Sequence, residues 1–329
     1  MVNSQELIEN PKSLKPHVVL LGAGASKAGF PKGDASGNQL PVMNDLVDKI
    51  GLSSLLKNSG VDFSRNFESI YSQLIDKDLK NEIEKRIVDY FSNLYLPETV
   101  TIYDQLLLSL RGKDAIFTFN WDPFLFDAYQ RNQDIAPLPH IYFLHGNVRI
   151  GACESCDNWG MKFMLCPMCN IKFKDVPLLY PIEKKRYFET SRYTAMSWKS
   201  AMCWFSEAFT VTIFGYSAPT SDQEAVELLK KGWFQNSERK FEHVEVIDIL
   251  CADQLYEKWK EFTPTQHLSS EKTFKKSLLW RWPRRSCEAQ FYPMSQGLPC
   301  DDFPIPTTNN LTELHSIIKK IACFETSMD

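Results

Sequence analysis

What this sequence lacks narrows its function before any motif is read. No stretch of the 329 residues stays apolar over the length that a membrane-spanning helix needs. The opening MVNSQELIENPKSLKP holds no apolar core of the kind a secretory leader uses. Neither sign of charge is in large excess: 37 Lys and Arg face 41 Asp and Glu, a formal net charge of -4. That balance argues against a protein built mainly to coat nucleic acid, which would be reached only indirectly. Internal repeats and low-complexity tracts are missing. With no leader and no membrane span, the nine cysteines are expected in a reducing, cytoplasmic setting, where metal binding or plain burial precedes disulfide formation. The full G-x-G-x-x-G fingerprint is absent as well.

The chain is organised around His17–Gly29, HVVLLGAGASKAG. A solid apolar run reads as a buried parallel strand. Gly22, Ala23, Gly24 and Ser26 follow it, and glycine there lets the backbone turn sharply and approach a ligand. A helix beginning at that point would aim its free N–H groups at a phosphate. A tight turn with nothing bound would give the same spacing. Phe30–Pro41 is rich in Gly, Pro and polar residues and is expected to be a mobile loop, either a lid or a surface connection. From Pro41 to about Leu110 the apolar spacing is helical, with roughly four helices and no strand. Its aromatic residues, Phe63, Phe67, Tyr71, Tyr90 and Phe91, are expected in the core.

Strand character returns at DAIFTF, which runs into Asn120-Trp121-Asp122-Pro123 and a helix. Asn120 stands just beyond a strand's carboxyl end, where open α/β sheets bind ligands. Asp122 could equally be a helix cap. Ile141–Leu144 is a further short strand and ends in His145-Gly146-Asn147. A histidine there could take a proton from a sugar hydroxyl or be a satisfied structural residue. Cys153, Cys156, Cys166 and Cys169 form two C-x-x-C knuckles, the spacing of a closed, structural zinc site. Thr210–Phe214 is a strand ending in a second small-residue turn, Gly215-Tyr216-Ser217-Ala218-Pro219-Thr220-Ser221-Asp222. His243–Ile249 is the last clear strand, and Asp248 near its end could hold ribose hydroxyls or equally be a solvent-exposed edge residue. Leu278–Ser286, LLWRWPRRS, is a basic-aromatic cluster expected to be a solvated face more than a nucleic-acid or partner contact.

In this order, GAGAS with AGFP, FNWD, LHG, paired C-x-x-C and GYS, the chain resembles the sirtuin superfamily through islands between Val18 and Asp248. The resemblance implies an α/β fold: a Rossmann-like parallel sheet flanked by helices that binds NAD, with a small domain made of a helical insertion and a zinc ribbon. The Rossmann-like part would comprise 1–41, 113–150 and 173–255, the insertion 42–112, the ribbon 151–172, and a C-terminal extension 256–329 could serve as an assembly surface. By position, Gly22, Ala23, Gly24 and Ser26 would hold the pyrophosphate and nearby ribose, with Phe30 beside them. Asn120 and Asp122 would face the nicotinamide ribose, His145 would act on a ribose hydroxyl, and Gly215 and Ser217 would line the adenosine half. Two departures stand out. Lys32-Gly33-Asp34 replaces the Asp-Phe-Arg stretch of the deacylases, and PLLYPIEKKRYFE lacks their Phe-Gly-Glu peptide-pairing segment. The chain looks more like the divergent prokaryotic sirtuin-like NAD-depleting effectors of anti-phage defence. That likeness implies hydrolysis of NAD to nicotinamide and ADP-ribose. The segment after the last clear strand is short for a separate sensor. Control is therefore expected in trans, through a homo-oligomer or a HerA-type ATPase or Argonaute-like partner. An NAD-dependent deacylase and a non-catalytic NAD or ADP-ribose scaffold are the alternatives.

Overall fold

The structure is a computed structural model that describes residues 1–62, 64, 66–181, 187–219, 222–237, 242–262 and 267–325. Nine strands are described: β1 His17–Leu21, β2 Ala115–Thr118, β3 His140–Phe143, β4 Ile150–Ala152, β5 Trp159–Met161, β6 Lys174–Asp175, β7 Thr210–Phe214, β8 His243–Ile247 and β9 Leu268–Glu271. Six of them form one sheet in the order β3-β2-β1-β7-β8-β9, and every pairing in it is parallel. Counted by appearance within this sheet, the order is 3-2-1-4-5-6, the arrangement of the doubly wound dinucleotide-binding folds. The remaining three form a small antiparallel sheet, β5-β4-β6, around the cysteine knuckles.

After His17, β1 is apolar because both faces of the sheet are covered. Val19 and Leu21 face a core shared with the helical insertion, and Val18 and Leu20 face a second core built on Trp198, Phe205, Leu229 and Trp233. The first core is large because the insertion contributes five helices: Leu46–Lys49, Ser53–Asn58, Phe67–Gln73, Lys77–Ser92 and Ile102–Leu108. In the longest, Leu79, Ile83, Ile87 and Phe91 make one buried stripe at a spacing of four. Phe67 and Tyr71 are buried with it. Tyr90 is half-buried and donates its hydroxyl to the Gln39 carbonyl at 2.5 Å. Phe63 lies outside the described residues.

The Phe30–Pro41 segment is irregular, and it is tied down. The Asp34 carboxylate accepts from the N–H groups of Ser36, Asn38 and Tyr95 at 2.9, 2.8 and 3.0 Å, and Leu40 is buried.

The C-terminal extension departs most from expectation. It supplies a sixth strand, β9, on the edge of the main sheet. Leu278–Ser286 is not a solvated face: Leu279, Trp280, Trp282, Arg284 and Arg285 are all buried, the last fully so. Glu325 explains it. Its carboxylate accepts from Arg284 Nε at 2.9 Å and from Arg285 Nη1 at 2.6 Å. The remaining guanidinium donors go largely to carbonyls, including Leu110, Leu7 and Ile8. Buried arginine is tolerated when its charge is matched and its donors are used.

Candidate functional site at the carboxyl edge of the sheet

The strand order reverses between β1 and β7, and the residues after these two strands touch. Gly22 N–H donates to the Phe214 carbonyl at 3.0 Å, and Gly24 N–H to the Gly215 carbonyl at 2.9 Å. A Cβ on Gly22 would stand 2.5 Å from the Gly215 oxygen. Gly215 itself sits at φ +61, and a Cβ there would lie 2.1 Å from the Ala25 nitrogen. These glycines are therefore required by contact between the two turns. The helix Ala23–Gly29 begins after Gly22, which offers no side-chain cap to its first N–H groups.

Behind that turn lies a buried polar cluster. Ser26 Oγ donates to Asp122 Oδ2 at 2.6 Å and is hydrogen-bonded with the Tyr103 hydroxyl at 2.5 Å. Asn120 Nδ2 donates to the Gly22 carbonyl and Ser26 Oγ, each at 3.0 Å, and approaches the Tyr103 hydroxyl at 3.2 Å. Because the Gly22 carbonyl can only accept, the amide orientation of Asn120 is fixed, with Oδ1 on the other side. That Oδ1 is buried and has no partner among the described residues. Burial, opposed by the Ser26 hydroxyl, pushes the Asp122 carboxyl up to about 6. Asp122 also accepts from the Phe124 N–H at 3.2 Å, so it serves the following helix as well as Ser26. Tyr103 has no counterpart among the expected site residues. It sits in the insertion helix Ile102–Leu108, in a run that reads as ordinary amphipathic helix. Phe30 is buried and packs at a tilt against Phe124 and Tyr103, with ring centroids 4.2 and 5.8 Å away.

His145 follows β3 and is buried with its ring near Phe119 and Tyr187, at centroid distances of 4.7 and 6.0 Å. Phe119 in turn stacks on Tyr216 at 4.3 Å. Asn147 Nδ2 donates to the Asp122 carbonyl at 2.7 Å, which ties the histidine loop to the polar cluster. Ala23 is half-buried, Ser217 is exposed, and Thr220 and Ser221 lie outside the described residues. Asp248, beyond β8, is half-buried and accepts from the Leu250 N–H at 3.0 Å.

The sulfur atoms of Cys153, Cys156, Cys166 and Cys169 all lie within 4.8 Å of one another, and those of Cys153 and Cys169 are 3.5 Å apart. A tetrahedral zinc tetrathiolate places its sulfurs about 3.8 Å apart, so the donor set fits a closed metal site. Although burial pushes the Cys166 thiol up, the N–H groups of Cys169 and Met168 bring it down to about 7. A cavity of about 370 Å³ opens against this ribbon, bounded by Trp159, Arg192 and Tyr193, and one of about 270 Å³ lies between Trp159 and the edge strand β3.

No protein-family model and no curated protein matches the chain. Among solved structures it is similar to a Sir2 homolog in complex with NAD, at 13% identity over 97% of this chain and 95% of that one, with a TM-score of 0.41. A triply substituted Sir2 homologue bound to 2'-O-acetyl ADP-ribose matches at 14% identity over 97% and 98%, with a TM-score of 0.42. Among the described residues no helix is long and apolar enough to cross a membrane.

Proposed function

We propose that this chain is a sirtuin-like NAD hydrolase that yields nicotinamide and ADP-ribose and acts as an NAD-depleting effector in anti-phage defence. The observation that carries the reading is the orphaned Oδ1 of Asn120, buried beside the β1/β7 switch point. A buried acceptor without a partner costs about 1–3 kcal/mol, and a ribose hydroxyl or a water would relieve it. The ordered GAGAS, FNWD, LHG, paired C-x-x-C and GYS motifs point the same way.

In this reading the turn at Gly22–Ser26 holds the pyrophosphate, while Gly215, Ser217 and Asp248 meet the adenosine half. Asn120, pinned by Gly22 and Ser26, orients the attacking water through Oδ1. The water oxygen bonds to the ribose anomeric carbon as the carbon–nitrogen bond to nicotinamide breaks. The electron pair leaves with the neutral nicotinamide, and the water's proton passes to solvent. His145 takes a proton from a ribose hydroxyl, which offsets the developing oxocarbenium charge, and returns it to that oxygen once the water has added. Asp122 holds Ser26 in place. The four cysteines would hold zinc as a structural brace.

Asn120, Asp122, Ser26 and His145 are each no more than 7% exposed. Turnover therefore needs an opening step, which suits activation in trans by self-assembly or by a HerA-type ATPase or Argonaute-like partner in the cytoplasm. Product analysis after incubation with NAD tests the reading, using wild type, Asn120→Ala and His145→Ala, with and without such a partner. ADP-ribose and nicotinamide from wild type, lost in both variants, are expected. Turnover only with an acyl-lysine peptide would replace the hydrolase with a deacylase. Tight NAD binding without any turnover would leave a scaffold.

A further inference from the structure

Among the described residues, Tyr103 is the only part of the helical insertion that is hydrogen-bonded to Asn120, Ser26 or Asp122, and the hydrolase reading gives it no role. Its ring is 1% exposed, and phenylalanine would fill that space equally well. A hydroxyl buried there costs free energy unless it is bonded. Its partners among the described residues are Ser26 and Asn120, both of the candidate site.

The direction of each bond follows from the donors present. An ionised Asp122 only accepts, so the single Ser26 proton goes to its Oδ2. Ser26 Oγ then accepts at its 2.5 Å contact, and Tyr103 donates. Burial pushes the Tyr103 hydroxyl well above its ordinary range, so it keeps that proton. Asn120 Nδ2 carries two hydrogens. One goes to the Gly22 carbonyl, and the other lies between Ser26 Oγ at 3.0 Å and Tyr103 at 3.2 Å. The phenol thus donates to one site residue, accepts from another, and closes a ring of hydrogen bonds beside the Asn120 amide.

Tyr103 is itself held. Thr101 and Asp104 cap the start of its helix reciprocally. Asp104 also accepts from Arg131 Nε at 2.6 Å and from Asn132 Nδ2 at 2.8 Å, on the helix Phe124–Asn132 that follows Asp122. Support of this kind behind a site residue keeps it in one geometry.

We propose that Tyr103 is a positioning residue: its hydroxyl, supplied by the insertion, fixes Ser26 and the Asn120 amide so that Oδ1 presents to the attacking water. The proposal rests on the hydrolase reading of the same site.

Steady-state kinetics of Tyr103→Phe in the full chain, under a condition where wild type turns over NAD, tests it. The ring stays and only the hydroxyl goes. The value of kcat is expected to fall about 10–100-fold while KM for NAD stays within about 3-fold, because orientation of the water is lost and substrate binding is not. Asp122 must be ionised to take the Ser26 proton, so kcat falls on the acid side as Asp122 is protonated. In Tyr103→Phe that acid limb should move to higher pH, since a Ser26 hydroxyl no longer polarised by the phenol supports the ionised carboxylate less well. The other carboxylate acting on Asp122 is Asp127, which Arg149 pairs at 3.3 Å and which the substitution leaves in place. Tyr71→Phe is the control. It removes the hydroxyl of another buried insertion tyrosine, one that donates to Glu84, and should leave kcat and the acid limb at wild-type values. Wild-type kcat and acid limb in Tyr103→Phe would overturn the inference and leave the hydrolase standing. So would a loss shared by Tyr71→Phe, or one without movement of the acid limb, since either marks a general loosening of the insertion. A wild type that never turns over NAD would overturn the hydrolase reading, and the inference falls with it.

Discussion

Replacing Glu325 with glutamine keeps the side-chain volume and removes one buried negative charge. In the native chain that carboxylate bonds Arg284 through both oxygens, at 2.9 and 3.1 Å from Nε, and bonds Arg285 at 2.6 Å. Both guanidiniums are essentially out of solvent, at 1% and 0% exposure. After the substitution two buried cations would share one neutral carbonyl. Breaking a buried ion pair by removing one partner costs about 3–5 kcal/mol, and here two arginines are affected. Against a domain stability on the order of 10 kcal/mol, the loss is a large fraction of the whole. Urea unfolding followed by tryptophan fluorescence measures it, with Glu313→Gln on the exposed start of the last helix as a control expected to stay within about 0.5 kcal/mol. The pH dependence adds a second check. Despite the upward push of burial, Arg284 and Arg285 hold the Glu325 carboxyl below its ordinary 4.5. Its contribution is therefore complete above 4.5 and is lost as pH falls through the depressed value. A loss under about 1 kcal/mol would refute the claim that this carboxylate is what admits the arginines to the core.

Glu245 has the opposite sign: burial raises its carboxyl from 4.5 to about 7, so stability falls as pH rises between these values, by about 3 kcal/mol, and Glu245→Gln should flatten that profile in thermal melts at pH 5 and pH 8. Gly215→Ala should cost more than about 2 kcal/mol in the same melts, since its Cβ would overlap the Ala25 nitrogen at 2.1 Å, while Gly37→Ala, at φ +85 with nothing within 4 Å, should cost only about 1 kcal/mol. Elemental analysis should find one zinc per chain, and Cys166→Ser should lower that content and open the ribbon to protease between Gly151 and Asp175 while leaving the main sheet folded.

The parts that could be read directly from sequence are those whose chemistry is local. VVLL reads as a two-sided strand, and the cysteine spacing reads as a tetrahedral donor set, because each needs only its own neighbours. The parallel sheet flanked by helices follows from such segments taken together. What escaped depends on partners far along the chain. WRWPRRS looks like a solvated basic face until Glu325, some 40 residues on, supplies its counter-charge. Tyr103 looks like one more helical aromatic until Ser26, 77 residues before it, accepts its contact. β9, LSSE, has no apolar alternation because an edge strand is half-buried on both faces.

β1 lies in the middle of the main sheet, yet it leaves the ribosome long before its neighbours. Its Val18 pairs with Ala115 on one side and with Val211 on the other. At roughly 5–20 residues per second, about 10–40 s separate the synthesis of β1 from that of β7. Until β2 is made, about halfway through that time, neither edge of this short strand has a partner; the edge that β7 will take stays unpaired throughout, and the glycine turn after β1 lacks the Gly215 backbone it is shaped to meet. The insertion helices are made during this interval and can cover one face of the strand, but they cannot pair its edges. Yield in the cell should therefore depend on chaperone capacity while the ribosome translates the first two hundred or so codons, more than on the stability of the finished fold.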